Sequence, residues 1–177
     1  AVGSVAAQIA RPGGARVMGI AGGAEKCRWL VEDYGADAAI DYRNEDVRAR
    51  LGALAPDGID LFFDNVGGAT LEAAIAHIAR FGRIILCGAI SGYNDRQGAP
   101  GPRNLMRLIP QRAEMRGFIL LDHLDRIPAA MADLRQWVHS GQLRYRADIQ
   151  HGFDAIPQTF LRLFSGSNQG KQLLRID

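Results

Sequence analysis

The chain has 177 residues and a formal net charge of +2, enough length for one domain with a piece of a second and for an ordinary buried core. Apolar residues make up 47% and charged residues 23%, which excludes a disordered chain, while the near-balanced charge gives no case for a nucleic-acid or membrane-surface partner. No apolar run reaches the roughly 20 residues that span a bilayer. The opening AVGSVAAQIA lacks the basic flank and cleavage site of a signal peptide. Cys27 and Cys87 stand far apart with no CxxC pair or Cys/His cluster, so a cytoplasmic setting with reduced thiols is expected and a structural zinc is not.

In chain order, AVGSVAAQIA reads as a small-residue turn running into an amphipathic helix. Apolar blocks then predict strands at Arg16 to Ala21, Ala38 to Asp41, Ile59 to Asp64, Arg83 to Gly88 and Met115 to Leu120. Between and after them, helical periods cover Ala24 to Tyr34, Glu45 to Leu54, Ala69 to Arg80 and Leu124 to Ser140. Gly22 and Gly23 precede a helix, Gly35 follows one, and Asp122 is a candidate cap for the helix near Leu124, with Pro128 in its first turns. Strands such as Ile59 to Phe63 are mostly apolar on both faces, the mark of a parallel sheet covered by helices on both sides. Repeated βα units predict a doubly wound, Rossmann-type α/β fold. The Gly/Pro-rich stretch from Ser91 to Arg103 follows a strand, so it borders the carboxyl edge where such sheets bind ligands. After Gly141, strands at Ala147 to Gly152 and Lys171 to Ile176 flank a helix from Phe153 to Phe164. No internal repeat or low-complexity tract is present.

Several positions carry chemistry. Val2 and Gly3 open the first helix, whose free amides and positive dipole end suit a pyrophosphate, although a capped Ala-rich helix is the commoner explanation. At the end of the first predicted strand, GIAGGAEK has small residues where NAD-preferring folds place an acid. That leaves room for a 2′-phosphate, with Lys26 as a cation or else a solvated surface lysine. Tyr42 follows the next strand, where it packs beside the same phosphate or is simply an exposed turn tyrosine. Asn65 in FDNVGG ends a buried strand, and its amide both donates and accepts toward ribose or carboxamide groups. Gly88 permits close backbone approach, and Tyr93 begins the loop after it. A phenol there donates to developing oxyanion charge or packs on the sheet edge. The four histidines are scattered, and neither G-x-S-x-G nor a P-loop occurs.

Taken together, AVGSVAAQIA, GIAGGAEKC, DAAIDYRNED, DGIDLFFDNVGG, FGRIILCGAISGYN, MRGFIL and NQGK resemble, in order and over nearly the whole chain, the zinc-independent leukotriene/prostaglandin reductase and alkenal double-bond reductase branch of the medium-chain dehydrogenase/reductase superfamily. The resemblance implies NADP(H) as cofactor and hydride transfer to the β-carbon of a small-molecule enone or enal. It places Lys26 and Tyr42 on the 2′-phosphate and Asn65 at the nicotinamide end. Cys87, Ile90, Ser91 and Tyr93 line the cofactor, with Tyr93 near the enolate oxygen, while Phe118 and Leu120 approach the carboxamide and Asn168 holds pyrophosphate or ribose.

Relative to that family, the chain has no substrate-side barrel and no first sheet strand ahead of Ala1. The expectation is a nucleotide-binding domain over residues 1–144, a segment at residues 145–177 that returns toward a catalytic domain, and little turnover by the isolated chain. Loss of a central strand leaves its two neighbours without their shared partner, an exposed edge compatible with a homodimer, strand exchange or aggregation. A non-catalytic NADP-binding module and a quinone reductase of the same superfamily are the alternatives.

Overall fold

The computed structural model describes residues 1–95 and 100–176. The chain forms two compact units, one from Ala1–Arg43 with Ala129–Asp177 and the other from Asn44–Pro128. Every strand pairing is parallel, and helices fill the crossovers, as a doubly wound Rossmann-type α/β architecture requires.

In the first unit, helix α1 (Val2–Ala10) precedes strand β1 (Met18–Ala21), helix α2 (Ala24–Glu32) and strand β2 (Ala38–Asp41). β1 and β2 pair from Met18↔Ala38 to Ala21↔Asp41, and Ile40 is fully buried. Helix α6 (Ile127–His139), strand β6 (Ala147–His151), helix α7 (Ile156–Ser165) and strand β7 (Lys171–Arg175) complete the chain, with β6 paired to β7. This later segment is fastened to the earlier one by polar contacts. The buried Gln8 side chain donates to the Arg144 carbonyl at 2.8 Å and accepts from the Arg144 N–H at 2.8 Å, and the Arg146 guanidinium lies over the Trp29 ring at 3.8 Å.

The second unit contains helix α3 (Val47–Leu54), strand β3 (Ile59–Asp64), helix α4 (Gly68–Ala76), strand β4 (Ile78–Leu86), the short helix α5 (Leu108–Gln111) and strand β5 (Glu114–Gly117), in sheet order β3-β4-β5. Asp46 starts α3 by accepting the Ala49 N–H. Leu71 and Ile75 from α4 pack on Ile78 and Ile84 from β4, with Phe62, Leu86 and Met115 at the margin. Full burial of each such side chain is worth about 1.5–3 kcal/mol.

Four local expectations are corrected. The helix expected over Ala69 to Arg80 ends at Ala76, and β4 starts at Ile78 rather than Arg83. The Ile59 N–H bonds to the His77 carbonyl, and the ladder runs Ile59↔Ile78 before skipping to Leu61↔Arg83. Tertiary pairing thus overrides a helical spacing that carries no Gly or Pro breaker until Gly82. β5 ends at Gly117, so Phe118 to Leu120 lie beyond the strand. Asp122 sits inside a 3-10 segment, Leu120–Arg126, and does not cap α6, whose second residue is Pro128. Finally, Leu61 is 54% exposed: β3 pairs only with β4 among the described strands and is not covered on both faces there. Of the Gly/Pro-rich stretch from Ser91 to Arg103, residues 96–99 lie outside the described residues.

Candidate functional site

In the first unit, the carboxyl ends of β1 and β2 converge on a cationic cradle. β1 ends at Ala21, and a Cβ added to the following Gly22 would sit 2.7 Å from the Tyr42 hydroxyl and 2.9 Å from Arg43 Nε. A larger residue there would have to displace those two side-chain ends. Lys26, in the first turn of α2, donates from Nζ to the Gly166 carbonyl at 2.6 Å, so it is not a freely solvated lysine. Burial, and then the neighbouring Arg43 charge, push its ammonium below the usual 10.5, against smaller upward pulls from Asp148 and Glu25. Arg43 donates from its guanidinium to the Ser165 carbonyl at 3.2 Å, and a Cβ on Gly166 would lie 3.3 Å from the same guanidinium. Two successive carbonyls of the α7–β7 turn therefore hold two cations.

That turn is itself well anchored. Asp148 Oδ2 accepts the Gln169 N–H at 2.8 Å and an Arg162 N–H at 2.6 Å. The Ser165 and Ser167 hydroxyls lie 2.8 Å apart. Asn168, expected to hold pyrophosphate or ribose, donates to the Gly170 carbonyl at 2.8 Å within its own turn. Val2 and Gly3 are exposed in the first turn of α1, where helix amides have no intrahelical acceptor.

In the second unit the β3–α4 and post-β4 turns interlock. Asp64 is 1% exposed; its Oδ1 accepts the Val66 and Gly67 N–H groups at 2.8 and 3.0 Å, and its Oδ2 accepts Gly67 at 3.1 Å. Its main-chain carbonyl accepts Cys87 N–H and Gly88 N–H. The Asn65 carbonyl accepts Ile90 N–H, and the Val66 carbonyl accepts both the Ser91 N–H and the Ser91 hydroxyl. Gly88 sits under this junction, with an added Cβ 3.3 Å from the Tyr93 hydroxyl and 3.4 Å from Asn65 Oδ1. Asn65, Cys87, Ile90, Ser91 and Tyr93 are thus brought together. The Tyr93 hydroxyl accepts the Ala89 N–H at 3.2 Å, which turns its own proton toward another acceptor.

Phe118 donates its N–H to the Leu86 carbonyl at 2.9 Å and stacks on His123 with centroids 5.2 Å apart, lining a cleft with Arg116, Ile119 and Asp122 beside β5. Leu120 is exposed at the start of the 3-10 segment. Sequence reading passed over Arg43, whose local signal is only a basic residue after a strand, and Asp64, whose position before Asn65 marks it as a turn residue. Among the described residues no group of three or more His, Cys, Asp or Glu side chains is placed to hold a metal. No helix among them is long and apolar enough to cross a membrane.

Comparison with known proteins agrees with this architecture. Residues 1–137 match the family described as zinc-binding dehydrogenase. The chain is 40% identical to prostaglandin reductase 1 of Rattus norvegicus, over 99% of this chain and 54% of that protein. It is 38% identical to the NADP(+)-dependent 2-alkenal reductase of Nicotiana tabacum, over 99% of this chain and 51% of that protein. The crystal structure of CurA from Vibrio vulnificus in complex with NADPH superposes with a TM-score of 0.91 at 35% identity, covering 100% of this chain and 54% of that one. The chain spans about half the length of the curated relatives it matches. With its parallel βα units, its glycine at the end of β1 and its interlocked strand-end turns, the chain belongs to the zinc-binding dehydrogenase family, among the zinc-independent medium-chain dehydrogenases/reductases.

Proposed function

We propose that this chain is the cofactor-binding portion of an oxidoreductase that reduces the C=C bond of α,β-unsaturated ketones or aldehydes with NADPH. The observation that carries the cofactor reading is the cradle at Gly22, where β1 ends without an acid, an added Cβ would press on the Tyr42 hydroxyl and Arg43 Nε, and Lys26 and Tyr42 stand beside the opening. Such a site matches a 2′-phosphate rather than free ribose hydroxyls. Lys26 and Tyr42 take that phosphate; the first-turn amides of α1 at Val2 and Gly3, with Asn168, take the pyrophosphate or ribose. Asn65, Cys87, Ile90 and Ser91 line the nicotinamide end, and Phe118 and Leu120 approach the carboxamide. In this reading residues 1–144 are the nucleotide-binding domain and residues 145–177 run from it toward a catalytic domain.

When bound, NADPH supplies the hydride. The protein's own part is positional. Ala89 N–H occupies an acceptor position of the Tyr93 oxygen, so the phenol donates its proton to the carbonyl oxygen of the acceptor and stabilises negative charge as it develops there. The acceptor class is supported by the names of the matched alkenal and prostaglandin reductases. The test is NADPH-dependent enone reduction by the protein that carries this chain: Tyr93→Phe lowers turnover about a hundredfold, the range of one general acid, with cofactor affinity unchanged. Unaltered turnover removes Tyr93 from the chemistry, and absence of enone reduction by the parent protein removes the acceptor class.

A further inference from the structure

We infer that Arg43 is a second specificity-determining cation for the 2′-phosphate, aimed by the main chain of the α7–β7 turn. The inference rests on the NADP reading above and adds a residue to it. Arg43 leaves β2 with its backbone N–H fixed to Asp41 Oδ1 at 3.0 Å, so the side chain departs from a defined point. Its guanidinium is then held by the Ser165 carbonyl, next to the Gly166 carbonyl that holds Lys26. The two glycines flanking the opening, Gly22 and Gly166, both face this guanidinium and the Tyr42 hydroxyl. A side chain at either would crowd the space that the Arg43 fork borders.

Arg43 also depresses the Lys26 ammonium, second only to burial. Two like charges gathered at one opening repel, and an anion between them relieves that repulsion. A guanidinium has five N–H donors in a planar fork. With one given to Ser165, others are left for phosphate oxygens, whereas Lys26 acts as a point charge. The turn that sets this geometry comes from the far end of the chain, so discrimination between the two nicotinamide cofactors depends on residues 165–166 as well as on the β1–α2 turn.

The experiment is calorimetric titration of the protein that carries this chain, with Arg43→Ala, Arg43→Lys and Lys26→Ala, using adenosine 2′,5′-bisphosphate, adenosine 5′-monophosphate, NADPH and NADH. Arg43→Ala weakens the two 2′-phosphorylated ligands by about tenfold or more, as for loss of a charge-assisted bond, and leaves the other two within about twofold. Arg43→Lys recovers only part of the loss, because the charge returns without the fork. If Arg43→Ala does not fold, Arg43→Gln, which keeps a donor for the Ser165 carbonyl, reads the same difference. An equal loss for both ligand classes, or none, overturns the role of Arg43. When that happens while Lys26→Ala still selects against the 2′-phosphorylated ligands, the NADP reading stands alone. If the parent protein binds the bisphosphate no better than the monophosphate, the NADP reading falls, and this inference with it.

Discussion

Asp64 is the side chain on which the second unit's strand-end turns depend, and Asp64→Asn measures that dependence. The carboxylate is 1% exposed and accepts three backbone N–H contacts from Val66 and Gly67. Hydrogen bonds to a charged acceptor are worth about 1.5–3 kcal/mol each. Asparagine keeps an oxygen at Oδ1, so both bonds there survive in neutral form, but it sets an NH₂ donor against the Gly67 N–H where Oδ2 had accepted. Losing the charge assistance and that contact costs about 2–3 kcal/mol. At about 2–4 °C per kcal/mol for a chain of this size, the melting temperature falls by about 4–12 °C. The assay is thermal denaturation with amide hydrogen exchange read at residues 66, 67, 90 and 91. Exchange accelerates at all four, because the Asn65 and Val66 carbonyls hold the Ile90 and Ser91 amides. A melting temperature within about 1 °C of the parent, with exchange at these amides unchanged, refutes the reasoning.

Two further outcomes depend on pH. Because burial and then Arg43 lower the Lys26 ammonium, NADPH affinity is full at neutral pH and declines as pH rises through that lowered value toward 10.5, while NADH affinity stays flat; titrations at neutral and alkaline pH check this. Burial raises the Asp148 carboxyl, but the Gln169 N–H, the Arg162 guanidinium and the Gln150 amide outweigh it and hold the group below its ordinary 3.8, so the stabilisation it gives is complete above that value and is lost as pH falls through the lower folded one. Denaturation midpoints measured across acid pH show this loss in the parent and not in Asp148→Asn.

Much of the fold was legible from local chemistry. β2 and β3 occupy the predicted residues because short apolar blocks there are bounded by acids and turn formers. What escaped was set by distant contacts. Ile78 to Arg80 continue a helical spacing, and only the pairing of Ile59 with Ile78 makes them strand. The cradle was half visible: GGAEK marks Lys26, whereas Arg43 acquires meaning only through Ser165, a residue in another part of the chain. The predicted cofactor-lining set from Asn65 to Tyr93 came together because its members all lie just past strand ends, a placement that hydrophobic patterning locates well. Phe118 and Leu120 were expected on the strand itself and instead follow it, since β5 stops at Gly117.

β2 and β3 both end in an aspartate, and the fold turns both inward. Asp41 Oδ1 accepts the Gly23 and Arg43 N–H groups, as Asp64 accepts those of Val66 and Gly67. Each acid lies where a strand delivers it to the ligand edge, yet its oxygens stitch backbone instead of meeting solvent. The sign of the exposed charge at the end of β2 is therefore set by which residues the scaffold consumes, not by composition. An evolutionary path from NADPH to NADH could not recruit Asp41 without unstitching both turns it closes; it would need a new carboxylate at Ala21 or Gly22, together with the retreat of Tyr42 and Arg43.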